Sequence, residues 1–273
     1  MTNPMQRLTD RLAREDRLLT AFSGGADSAL LAACAHQVLG DRALAVTAVS
    51  ASLPASERSD ARDFARDRAM PHVEVCTDEL QRPDYVRNDA SRCFHCKSAL
   101  MDALTPMARA MGARIALGTN VDDLDDYRPG QRSASERGAV FPLVDAGLTK
   151  AAVRELSGEL GLTTAAKPAA ACLSSRIAYG DPVTAELLRQ IEQAEETLHR
   201  AGFRQCRVRA HAGGSVARIE VPAADLRRLL ASREELVAEL RAAGFAFVAL
   251  DLAGLRSGSM NVLLPDPAVR PAG

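Results

Sequence analysis

Two adjacent glycines directly after a short apolar run constrain this chain more than any other feature. Residues 17–22 (RLLTAF) lead at once into Ser23-Gly24-Gly25, and a helical pattern opens near Asp27 and closes at Gly40. A strand that turns into a helix over paired glycines bends tightly and presents bare backbone N–H groups at one point. The alternation then continues. Residues 43–50 (ALAVTAVS), 71–76 (PHVEVC) and 114–118 (RIALG) read as strands, with helical patterns over 55–69 and 96–111 between them. Strands and helices in strict alternation predict an α/β, Rossmann-like domain with a parallel sheet covered on both faces.

A chain of 273 residues has room for two domains. Residues 122–138 are polar and read as a long loop, followed by a helix over 150–160. After Lys167-Pro168 the character changes. A long helix is expected over 184–201, then two alternating segments, 206–211 and 215–221, around Gly213-Gly214, which is a hairpin signal. Helical stretches at 223–230 and 233–243 and a strand at 245–251 complete a smaller α+β module with antiparallel pairing. The expected domains are 1–168 and 169–265, with 266–273 as a tail.

Net charge is −1, so there is no broad basic field and a nucleic-acid partner is not expected. No run reaches the length of a membrane span, and the charged N-terminus lacks the apolar core of a secretion signal. A cytoplasmic protein is the expectation. Its six cysteines (34, 76, 93, 96, 172 and 206) are then not a disulfide framework. Cys34, Cys76 and Cys206 read as structural.

The chemistry concentrates in three places. Ser23, Gly24, Gly25, Asp27 and Ser28, with the positive end of the following helix, make a pyrophosphate cradle. It is not a Walker loop, because no G-K-[S/T] follows. Gly118 ends a strand on the edge where open parallel sheets bind ligands. Beyond it Asp122, Asp123, Asp125 and Asp126 suit Mg²⁺, or form a solvated acidic loop. Cys93 and Cys96 form a CxxC pair, and Cys172 lies among small residues, with Lys167 and Arg176 placed to favour its thiolate. Three thiolates can hold an iron–sulfur cluster with one iron open; zinc with His95 as fourth ligand is the alternative. Finally, Arg207, Arg209 and Arg218 lie on the expected hairpin. They offer either phosphate recognition or a charged outer face.

The hexapeptide SGGADS (23–28) resembles the PP-loop of the ATP pyrophosphatase superfamily. Taken with RCFHCK (92–97), GTNVDD (118–123), RPG (128–130), FPLVDAGLTK (141–150), KPAAACLSSRIAYG (167–180) and GSMN (258–261), the sequence resembles LarE. These are the ATP-dependent sulfur transferases of nickel-pincer nucleotide biosynthesis, and the match covers nearly the whole chain. The resemblance implies a PP-loop ATP pyrophosphatase domain followed by a smaller domain, and a closed homo-oligomer. It also implies a small-molecule nucleotide substrate, pyridinium-3,5-biscarboxylic acid mononucleotide. ATP and Mg²⁺ would adenylate one carboxylate, and a sulfur nucleophile would displace AMP to leave a thiocarboxylate. Cys172 matches the family's sulfur-bearing cysteine, which some members sacrifice. Cys93 and Cys96 match the further positions of members that hold a 4Fe-4S cluster, the type favoured here. Lys97 and Arg176 are the expected cations for charge on the transferring group, and Arg207 and Arg209 for the substrate phosphate. The competing reading is a tRNA-thiolating PP-loop enzyme.

Overall fold

Helix α1 (Pro4–Leu12) leads into strand β1 (Leu18–Ala21), an inner strand of a four-stranded sheet ordered β3-β2-β1-β4. The others are β2 (Ala43–Val49), β3 (His72–Cys76) and β4 (Arg114–Ala116). Every pairing is parallel, and Leu18 sits in register with both Ala43 and Arg114. Parallel neighbours need a crossover, and helices supply it. Helix α2 (Ala26–Leu39) joins β1 to β2, and α3 (Ala55–Asp67) joins β2 to β3. After the short α4 (Pro83–Val86), helix α5 (Arg92–Met111) leads into β4. The computed structural model describes residues 3–124, 134–168, 171–256 and 258–263.

Successive β1 side chains leave on opposite faces. Leu18 packs in a core with Leu12, Phe22, Leu30, Leu31 and Phe64, whereas Leu19 packs with Val46, Met101, Leu104 and Ile115. Both faces are therefore covered, which is why the strands read as unbroken apolar runs. Edge strand β3 is only partly covered, and Cys76, expected to be structural, is exposed at its end. Cys34 and Cys206 are buried, and burial pushes each thiol up to about 12.

Helix α5 starts at Arg92, earlier than the periodicity suggests, so the CxxC pair belongs to its opening turns. Just before it, Asp89 Oδ1 accepts from Ser91 N at 2.8 Å in a local turn. In the first unit, helix α6 (Pro142–Asp145) precedes α7 (Lys150–Glu159), which is capped by Thr149 Oγ1 accepting from Ala152 N at 3.2 Å.

The chain divides into two compact units. One comprises Met1–Glu79 and Cys93–Ala170; the other comprises Leu80–Arg92 and Ala171–Gly273. Segment 80–92 is anchored in the second unit by Asn88, fully buried, whose Nδ2 donates to Ala178 O and Asp181 O, both at 2.8 Å. Helix α8 (Ala185–Arg200) buries Leu187, Leu188, Ile191, Ala194 and Leu198. Strand β5 (Arg207–His211) pairs antiparallel with β6 (Val216–Glu220) around Gly213 and Gly214, which have φ of 62° and 92°. The next neighbour, β7 (Phe247–Leu250), runs parallel to β6, which corrects the expectation of antiparallel pairing throughout. Its cause is the connection: α9 (Leu226–Ala231) and α10 (Arg233–Ala242) carry the chain back before β7 begins. Among the described residues no helix is long and apolar enough to cross a membrane.

Candidate active site

In the first unit, Ser23–Ser28 turn from β1 into α2 as expected. Gly24 has φ +75°, and a Cβ there would meet Ala61 Cβ at 3.3 Å, so glycine is required for both conformation and space. Gly25 is the N-cap of α2 and brings no side chain to its first amides, which leaves those donors for an anion. Ser28 Oγ donates to Gly25 O at 3.1 Å and accepts from Ser23 N at 3.2 Å, so this hydroxyl braces the loop. Gly118 closes the cradle from the neighbouring strand. A Cβ on it would lie 2.8 Å from Ser28 N and 3.0 Å from Ser28 Cα, so only glycine lets the two backbones touch.

A cavity of about 310 Å³ opens beside this loop. Phe22, Val46, Leu53 and Leu100 give it an apolar wall; Ser23, Asp27, Lys97 and Thr119 give it polar groups. Asp27 is held on both oxygens: Oδ1 accepts from Asn120 Nδ2 at 3.1 Å, and Oδ2 pairs with Lys150 Nζ. Asp122 Oδ2 accepts from Lys150 N at 2.8 Å, which ties the first turn of α7 to the segment after Gly118. Asp122 is exposed, and the oxygen chemistry of such a carboxylate suits Mg²⁺. Asp123 exchanges hydrogen bonds with Asn120 in a closed turn. Asp125 and Asp126 lie outside the described residues, as does the RPG segment.

Cys93 and Cys96 belong to the first unit and Cys172 to the second. None of the three is in a disulfide; Cys93 and Cys172 are exposed and Cys96 is half-buried. Within the first unit, Lys167 Nζ pairs with Glu57 and Asp60, both at 2.8 Å.

The Cys172 loop is held by three arginines acting on its carbonyls. Arg176, buried, donates from Nη1 to Ala171 O at 2.9 Å and to Cys172 O at 3.4 Å. The same guanidinium pairs with Glu195 through Nε (2.9 Å) and Nη2 (3.3 Å). Arg92 donates to Ser174 O, and Arg209 to Ser175 O, each at 2.9 Å. Ser174 Oγ donates to Cys172 Sγ at 3.5 Å.

The hairpin arginines differ from one another. Arg209 is 3% exposed; its Nε pairs with Glu220 at 3.0 Å and its Nη2 donates to Ser259 Oγ at 3.0 Å. Ser259 in turn donates to Glu220 at 2.7 Å, and Arg218 pairs with Glu220 (3.1 Å) and with Asp251. Arg209 and Arg218 thus saturate a buried carboxylate. Arg207 is half-buried, and among the described residues its hydrogen-bond partner is a backbone oxygen, Arg256 O, at 3.3 Å. Burial, and then the neighbouring Arg176, press its pKa below the ordinary value. A cation in that setting is stabilised by an arriving anion. His211 Nε2 accepts from Arg218 Nε at 3.1 Å, which fixes its neutral form; burial and Arg218 both lower its pKa.

Sequence reasoning missed Lys150, Asn120, Arg92 and Glu195. Glu195 was findable, because it interrupts the apolar stripe of α8 beside Ala194 and four residues after Ile191. Lys150 closes a quoted motif, but nothing in its spacing pointed to Asp27.

No family model matches the chain. It is 42% identical over 267 residues to an uncharacterised protein of Synechocystis sp., covering 97% of this chain and 99% of that one. It is 36% identical over 248 residues to the pyridinium-3,5-bisthiocarboxylic acid mononucleotide synthase of Lactiplantibacillus plantarum, covering 90% and 89%. An uncharacterised protein of Methanocaldococcus jannaschii is 26% identical over 245 residues, covering 89% and 92%.

Proposed function

We infer that this chain, which belongs to the LarE family of pyridinium-3,5-bisthiocarboxylic acid mononucleotide synthases, is an ATP-dependent sulfur transferase. Its substrate is a pyridinium-3,5-biscarboxylic acid mononucleotide, one carboxylate of which becomes a thiocarboxylate. The observation that carries the reading is the glycine-built anion cradle at Ser23–Ser28, sealed by Gly118, in a chain that also presents an exposed, free cysteine on an arginine-held loop.

ATP would lie with its base against the apolar wall of the cavity and its phosphates over the first amides of α2. Asp122 would meet Mg²⁺, which supplies charge neutralisation at the phosphates. The substrate carboxylate attacks the α-phosphorus; the bond to the bridging oxygen breaks and pyrophosphate leaves. Lys97, which lines the cavity, and Lys150, paired with Asp27, would offset charge there. The acyl-adenylate then loses AMP to a sulfur nucleophile, and the C–S bond replaces the C–O bond. Arg176 acts on this step by shaping the Cys172 loop, since its donors are already engaged by Glu195 and by loop carbonyls. Arg207 is the hairpin cation that takes the substrate phosphate; Arg209 supports it through the Glu220 network.

Cys93 and Cys96 of the first unit and Cys172 of the second are the residues that would hold a 4Fe-4S cluster, which when bound would supply sulfide. Without it, the sulfur would be that of Cys172 itself: its thiolate displaces AMP to form a thioester, and loss of the Cys172 α-proton with cleavage of the Cβ–Sγ bond frees the thiocarboxylate and leaves dehydroalanine. The test is anaerobic purification with iron and sulfide analysis, followed by assay of AMP, pyrophosphate and thiocarboxylate on the biscarboxylate mononucleotide. ATP cleavage that responds to total tRNA and ignores the mononucleotide would overturn the reading.

A further inference from the structure

Cys172 is exposed, and an exposed cysteine side chain moves among its staggered rotamers unless something holds it. What holds this one is a buried hydroxyl. Ser174 is 0% exposed and donates to Cys172 Sγ at 3.5 Å. Behind it lies Tyr85, 1% exposed, with its hydroxyl 2.7 Å from Ser174 Oγ. A serine hydroxyl carries one proton. With that proton given to sulfur, the hydrogen bond between the two hydroxyls is one in which Tyr85 donates to Ser174. The backbone of Ser174 is pinned as well, because its carbonyl accepts from Arg92 Nη1 at 2.9 Å. Packing alone does not call for two buried hydroxyls here. Alanine and phenylalanine would fill the space without polar groups that need partners.

We propose that Ser174 and Tyr85 are positioning residues for the sulfur of Cys172, a two-hydroxyl chain that keeps an otherwise mobile side chain in one orientation. The assignment deepens the reading of Cys172 as the sulfur-bearing residue and rests on it for its meaning, but it is tested without relying on turnover. A sulfur held in one rotamer attacks an acyl carbon with little orientational loss; a freely rotating one does not.

Threonine and valine at position 174 have nearly the same shape and differ by the hydroxyl, so comparing Ser174→Thr with Ser174→Val isolates it. The Hα–Hβ couplings of Cys172, read by NMR on reduced, cluster-free protein with labelled cysteine, report its χ1 populations. One dominant rotamer is expected in the wild type and in Ser174→Thr, and averaging over several in Ser174→Val. Tyr85→Phe should show partial averaging, and carries the comparison should the valine protein not fold. Identical couplings in all four proteins would overturn the proposal. In turnover, Ser174→Val should slow sulfur transfer about tenfold more than it slows pyrophosphate release, with Ser174→Thr restoring the ratio. A wild-type protein that releases pyrophosphate yet transfers no sulfur overturns the functional reading instead, and the couplings still decide the positioning role.

Discussion

Asp27, in the first turn of α2, and Lys150, at the start of α7, form an ion pair across 123 residues of sequence. The pair lies beside the cavity of the phosphate loop, and the second oxygen of Asp27 is held by Asn120. An unpaired carboxylate at that point would repel a polyphosphate. Lys150 offsets it and, on the proposed function, would share its ammonium with the incoming phosphates. Lys150→Met should therefore weaken ATP binding about tenfold, the worth of one charged hydrogen bond. Calorimetric titration with ATP checks this, and an unchanged affinity contradicts it.

Gly118→Ala is expected to damage the cradle without touching a ligand. Its methyl would arrive 2.8 Å from Ser28 N, and the obstacle is backbone that cannot swing away. Forced separation of the two segments should cost about 1–3 kcal/mol of stability, together with most ATP affinity. A variant with wild-type melting temperature and ATP affinity would show that the contact is not close in solution.

Arg207 and Arg209 should separate cleanly when each is replaced by alanine. Removal of Arg209 strips a partner from Glu220, which is fully buried, and should destabilise the fold by about 3–5 kcal/mol. Arg207→Ala should leave the melting temperature nearly unchanged and raise KM for the mononucleotide about tenfold. If the two variants instead show the same pattern, the division between anchor and ligand fails.

Acid sensitivity should trace to β3. Arg58 and Arg62 each hold Glu74 with two hydrogen bonds and pull its carboxyl from 4.5 to about 2. A carboxyl with a depressed folded-state pKa adds stability above about 4.5, and loses it as pH falls toward about 2. His72 acts in the same direction. Burial lowers its pKa below 6.5, so charging it below pH 6.5 opposes folding. In urea titrations at several pH values, Glu74→Gln should be less stable than wild type at neutral pH. The gap should narrow steadily below about 4.5. A gap that stays constant down to pH 3 would remove Glu74 from the account.

Much of the first unit was legible because its signals are periodic. The apolar runs of β1 and β2 read as strands, and Gly24-Gly25 announced the turn. The second unit was legible in its elements and misread in one pairing, since nothing local says that β7 returns parallel to β6. Segment 80–92 looks like a polar loop. Its attachment through buried Asn88 is a long-range contact that no local pattern encodes.

Charge was the least legible property. Lys167, Arg176 and Arg209 are equally cationic on paper, yet each is engaged by its own internal carboxylates, whereas Arg207 has no carboxylate partner among the described residues. Which cation is available depends on which acids lie beside it in space, and sequence spacing does not report that.

Everything returns to the sulfur at position 172. The most direct measurement is mass spectrometry of the mononucleotide after anaerobic incubation of wild type and Cys172→Ala with ATP and Mg²⁺, with AMP and pyrophosphate counted in parallel. The account predicts a thiocarboxylate from the wild type alone, while the alanine variant still cleaves ATP and returns unmodified substrate. Thiocarboxylate formed by Cys172→Ala at the wild-type rate would contradict it.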